Sequence, residues 1–287
     1  MLKLLLSLFL LNPTVPSTYD QIVTYLKTTA SQNASTTTLV KIGDSDAGVP
    51  IYGLKIGTGE TADLIVGTHH GNEYGSTAVA LGAVDSLVKN PIMGHTVYII
   101  PVLNVSGFNS RSREESLGND TQDANRDYPG PCATSGPHKL KSTKALAEFI
   151  DQKNIVSSAT LHTHWPAVLY PWGISTKDLE TQYENTFVGL AKDAAVESGY
   201  ETGNSNALLY AADGTFEDYA FWKHGVWSLL FEMGDSHSPS ESEMKKMIAG
   251  NVPGIRRFFE NAPKARAEKH DFTGRCDTRV KRRTWLE

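Results

Sequence analysis

An alternation of strand-like and helix-like segments, with polar residues where the strands end, restricts the fold of this chain more than any other feature. Alternating apolar residues mark strands at 38–42 and 51–56 around a Gly- and Asp-rich turn, which predicts a hairpin. The apolar run 64–67 leads into His69-His70-Gly71-Asn72-Glu73, and from residue 74 to 89 the apolar spacing becomes helical until Asn90-Pro91 stops it. Further strands are predicted at 97–103, 156–162 and 226–231, and further helices at 19–31, 141–152, 177–198 and 241–260. This order predicts an α/β fold: a mixed, mostly parallel central sheet with helices on both faces, a three-layer sandwich. In such folds ligands collect at the carboxyl ends of the strands, where His70, Asn104, His162 and Glu232 fall. The long segment 104–136 carries little periodicity, as functional loops often do.

Composition narrows the function. Of 287 residues, 40% are hydrophobic and 21% charged, enough apolar material for one large globular domain rather than a disordered or fibrous chain. Lys and Arg total 27 against 32 Asp and Glu, a net charge of −5, so no basic field covers the molecule and nucleic acid is not an expected partner. Two cysteines, Cys132 and Cys276, are too few for a structural zinc ribbon or a disulfide-built miniature domain, although they could form one bridge. Lys3 followed by a leucine-rich run reads as a secretory signal over residues 1–17, too short to span a bilayer, so the expectation is a secreted or periplasmic protein. Residues 18–262 form the expected main domain. Residues 263–287 carry eight Lys and Arg against four Asp and Glu and read as a basic surface tail. A monomer is expected.

His70 and Glu73 stand three apart at a strand-to-helix junction, where one turn can aim an imidazole and a carboxylate at the same ion. Catalytic zinc takes three protein ligands from His and Glu and leaves a position for water. His162, ending a strand-like run, is the best third ligand. Taken alone the H-x-x-E spacing is weak, and a Glu at a helix start can simply cap backbone amides.

Further segments stand at matching distances: 67–73 (GTHHGNE), 101–107 (PVLNVSG), 123–129 (DANRDYP), 161–164 (LHTH), 169–173 (LYPWG) and 231–234 (FEMG). Taken together, in this order over residues 61–234, they resemble the zinc carboxypeptidases of the A/B type. The resemblance implies one zinc per chain on His70, Glu73 and His162, and Glu232 as the base that activates the water. It also implies Asp123 as the carboxylate bonded to His70, Asn125 and Arg126 as the grip on the substrate's terminal carboxylate, and Tyr210 as a substrate-capping residue. An upstream arginine should stabilise the oxyanion; Arg113 is the first choice and Arg111 the second. Glu217 falls at the base of the side-chain pocket, where an acid would select basic C-terminal residues. Two departures lie beside the site: Asp127 in place of an asparagine, and His164 in place of an aromatic. Asp127 could weaken carboxylate binding, and His164 would serve as a pocket wall. His69 should face away from His70.

The implied activity is hydrolysis of the C-terminal peptide bond of peptides or proteins, with their C-termini as the partners. Two alternatives stand beside it. One is a zinc deacylase or amidase of the aspartoacylase or murein-peptide kind, and the other is an inactive peptide-binding homologue.

Overall fold

The computed structural model describes residues 15–132, 138–268, 272 and 274–277. In chain order the elements are α1 (Tyr19–Gln32), β1 (Thr37–Asp44), β2 (Pro50–Ile56), β3 (Thr61–Gly67), α2 (Tyr74–Lys89), β4 (His95–Ile100) and α3 (Val105–Ser110). There follow β5 (Glu115–Leu117), β6 (Asp120–Gln122), α4 (Lys141–Gln152), β7 (Ile155–His162) and β8 (Ala167–Tyr170). The remainder are α5 (Glu184–Ala194), β9 (Glu201–Asn204), α6 (Ser205–Leu208), α7 (Phe216–His224), β10 (Trp227–Glu232) and α8 (Glu241–Asn261).

Eight strands form one mixed sheet in the order β1-β2-β4-β3-β7-β10-β8-β9. The central run β4-β3-β7-β10 is parallel, and antiparallel pairs lie outside it. Strands β3, β4 and β7 are buried along nearly their whole length; in β3 and β4 this gives the apolar runs Leu64-Ile65-Val66 and Val97-Tyr98-Ile99-Ile100, whereas β7 also buries Ser157, Ser158 and Thr160. Helix α8 packs on α2 and α5, and α4 packs on α7, giving the sheet its flanking layers. Capping boxes open α1 at Thr18 and α8 at Ser240.

Three local expectations shift. The helix expected at 177–198 is confined to Glu184–Ala194, because residues 175–177 pair instead with residues 275–277 of the distant C-terminal segment. Strand β4 begins and ends earlier than predicted, and residues 101–103 turn into the site. Within the loop-like stretch 104–136 lie α3 and the β5-β6 hairpin.

Cys132 and Cys276 form a disulfide, which joins the segment after Arg126 to the C-terminal segment. Before that bridge the chain after α8 lies along the domain: Arg266 donates to the carbonyls of Ile150 and Ile155, and Ala265 accepts from the Trp227 indole. The signal-like residues 1–14 lie outside the described residues, as do residues 278–287.

Candidate metal centre and substrate cleft

Parallel strands β3, β7 and β10 end side by side, and Glu232 is the register partner of His162. Just beyond β3, Thr68 adopts a left-handed φ of 61°, a conformation disfavoured for a β-branched residue. Its hydroxyl is held by Ser76, Thr77 and the Pro101 carbonyl, which stabilises the turn. Gly71 follows because a β-carbon there would lie 2.0 Å from the Gly107 carbonyl carbon.

This turn aims His70 and Glu73 at His162. The His70 Nδ1 lies 2.7 Å from Glu73 Oε1, the His162 Nδ1 lies 3.1 Å from Glu73 Oε2, and the two Nδ1 atoms are 3.2 Å apart. Among the described residues this is the one group of three or more His, Cys, Asp or Glu side chains that could share an ion. Glu73 makes no side-chain cap to α2, so its carboxylate belongs to the cluster rather than to the helix. Two imidazole nitrogens and a carboxylate, all buried and converging, are the donor set zinc takes, and the residues therefore fit that metal.

Around these donors the charges are ordered. Asp123 accepts from His70 Nε2 at 3.0 Å, and from Arg113 through Nε and Nη2 at 3.2 and 3.0 Å. Although burial disfavours its charge, His70 and Arg113 hold the Asp123 carboxyl well below the usual carboxylate range. Arg113 Nη1 also reaches to 3.9 Å from Glu73. Arg111 turns away and lies over the Tyr74 ring. Burial, with the Glu73 charge behind it, raises Glu232 well above its ordinary value, and its buried Oε2 has no partner among the described residues.

On the side of α7, Asn125 Oδ1 accepts from the Phe216 amide at 2.8 Å, while its Nδ2 faces His162 Nε2 at 3.4 Å. Arg126 donates to the Tyr210 hydroxyl at 3.1 Å, bringing those two distant residues together. Glu217, in the first turn of α7, is buried with Oε2 unpartnered, and its charge is felt at Glu232. Asp218 beside it accepts twice from the Gly173 amide, which pins the 171–173 turn to α7; sequence reasoning did not give it a role.

The two departures resolve differently. Asp127 accepts from the Lys139 and Leu140 amides and the Thr143 hydroxyl, so its charge is committed to the start of α4 rather than to Arg126. His164 is exposed, its ring 4.7 Å from that of His237, outside the donor group. His69 is fully buried, against Tyr128, Phe216 and the ring of His162.

A family model described as zinc carboxypeptidase matches residues 22–254. Carboxypeptidase SOL1 of Arabidopsis thaliana is 26% identical over 258 residues, covering 79% of this chain and 52% of its own length. Carboxypeptidase B of Rattus norvegicus is 26% identical over 262 residues, covering 76% of this chain and 63% of its own. The chain thus spans between half and two thirds of the length of these relatives. The crystal structure of carboxypeptidase A from Helicoverpa armigera superposes with a TM-score of 0.79 at 17% identity, over 87% of this chain and 74% of that one.

Proposed function

The chain belongs to the zinc carboxypeptidase family, and from that premise we propose that it removes the C-terminal residue of peptides or proteins, with a preference for Lys or Arg. His70, Glu73 and His162 would hold one zinc. When bound, the metal supplies Lewis-acid polarisation of the scissile carbonyl. Glu232 takes a proton from the attacking water and hands it to the leaving amine; a carboxyl raised by burial suits both halves of that transfer. Arg113, fixed by Asp123, offers its guanidinium to the oxygen on which negative charge develops.

Arg126 carries the exopeptidase reading. It stands one residue beyond Asn125, whose amide touches His162, so a guanidinium able to bind a terminal carboxylate lies next to the donor group, with the Tyr210 hydroxyl beside it. Glu217 supports the basic preference, since a buried carboxylate oxygen without a partner is costly until a cation meets it. Export directed by residues 1–17 agrees with the Cys132–Cys276 disulfide, which persists in oxidising compartments. Residues 18–262 would act as a monomeric catalytic domain.

The test pairs metal analysis with hydrolysis of peptides that differ only at the C-terminus. One zinc per chain, cleavage of free C-termini, loss of cleavage on amidation, and faster release of Arg than Phe are the expected results. Equal cleavage of amidated peptides would refute the carboxylate grip, and faster release of Phe would refute the role of Glu217.

A further inference from the structure

We infer that His69 is a positioning residue for the metal ligand His162, its ring acting as a backing plate where the usual orienting hydrogen bond is missing. The inference rests on the reading of His70, Glu73 and His162 as the zinc ligands.

A histidine that binds metal through one nitrogen carries its proton on the other, and that N–H ordinarily finds an acceptor which fixes the ring. For His70 the acceptor is the Asp123 carboxylate, 3.0 Å from Nε2. For His162 the donor atom turned to the cluster is Nδ1, which leaves Nε2–H pointing at the Nδ2 of Asn125, 3.4 Å away. The Asn125 amide cannot flip to help, because its Oδ1 already accepts from the Phe216 amide at 2.8 Å. With Nδ1 on the metal, two donors therefore face each other, and among the described residues no acceptor meets the His162 Nε2–H.

His69 stands where a mechanical constraint can do the same work. Its ring lies nearly parallel to that of His162, at 20° with centroids 5.5 Å apart. Phe216 meets the His69 ring at 5.5 Å, tilted by 40°, and Tyr128 meets it edge-on at 5.9 Å. The Tyr128 hydroxyl contacts His69 Nε2 at 3.1 Å, so the backing ring is itself latched. His69 is completely buried, and among the described residues its Nδ1 has no partner.

The experiment measures the zinc dissociation constant by competition with a chelator, on variants shown by circular dichroism to be folded. His69→Ala should weaken zinc binding by about 10- to 100-fold, the effect typical of losing a ligand's orienting partner. His69→Phe, which keeps a flat ring against His162, should recover most of that loss. Should the alanine variant not fold, His69→Leu takes its place, since it fills the space without a flat face. Wild-type affinity in the alanine or leucine variant overturns the inference, and so does a phenylalanine variant no better than they are. His162→Ala separates the two readings. If it abolishes zinc binding while the His69 variants leave it intact, this inference alone fails; if it too binds zinc normally, the ligand assignment fails first.

Discussion

Two buried polar clusters sit at opposite ends of the same parallel strands, and they are built on opposite principles. At the amino-terminal end, Asp63 of β3 accepts from Ser157 of β7 and from His95 Nδ1 of β4, the latter at 2.6 Å. Lys264 completes the chain, donating to His95 Nε2 at 3.0 Å and to the carbonyls of Phe259 and Glu260 at the end of α8. Both Asp63 oxygens and both His95 nitrogens are thus partnered. At the carboxyl-terminal end, Glu232, Glu217, Thr215 and His69 each keep one buried polar atom without a partner among the described residues. A closed network stabilises the fold, whereas an open one holds capacity for a metal, a proton or a substrate that arrives later.

The largest expected effect falls on the open end. Glu232→Gln should lower kcat by about 10²–10⁴-fold while zinc content stays at the wild-type level. Its midpoint in urea should stay the same or rise, because a strained buried acid has been removed. Unchanged turnover would show that another group moves the proton.

The closed end should respond in the reverse sense. His95→Leu leaves one buried oxygen of Asp63 without its imidazole partner, while Ser157 still holds the other and Lys264 keeps its two carbonyls, so unfolding free energy should drop by about 2–3 kcal/mol. Hydrolysis per folded molecule, measured at a temperature where both proteins are native, should not change. A variant as stable as the wild type, or a folded one with lost activity, would erase the distinction between the two ends.

The same contrast explains what could be read from the sequence. His70, Glu73, His162 and Glu232 were legible because each ends a strand run or follows it closely, and the parallel sheet brings strand ends together. The central strands and α2, α4 and α8 were legible from periodicity. Strand β9 was not: Glu201–Asn204 is polar, with a single neighbour, β8, and has no alternation to read. The shortened α5 depends on pairing with Arg275 and Cys276, about a hundred residues away. The commitments of Asp127 and His69 depend on α4, Tyr128 and Phe216, which local spacing cannot anticipate.

Glu115 lies between the two cases and gives the smallest and most discriminating test. It is fully buried on β5, two residues after Arg113; one carboxylate oxygen accepts from the Ser142 hydroxyl at 2.6 Å and the other has no partner. Burial pushes its pKa up to about 7, with Asp46 and Asp127 adding to the effect and the Ser142 bond opposing it. A carboxyl raised in the folded state adds stability that is complete below its unfolded value near 4.5, and that stability drains away as pH climbs towards 7. Glu115→Gln removes the titration and keeps an acceptor for Ser142. The variant should therefore gain on the wild type by about 1–3 kcal/mol between pH 5 and pH 8, read from urea unfolding of both proteins at each pH. Part-satisfied burial would then weaken the fold only where the group ionises, placing Glu115 with the open cluster in chemistry and with the closed one in function. An equal stability difference at both pH values would mean that the Ser142 bond alone keeps the carboxylate ionised, and that one hydrogen bond is enough to close a buried site.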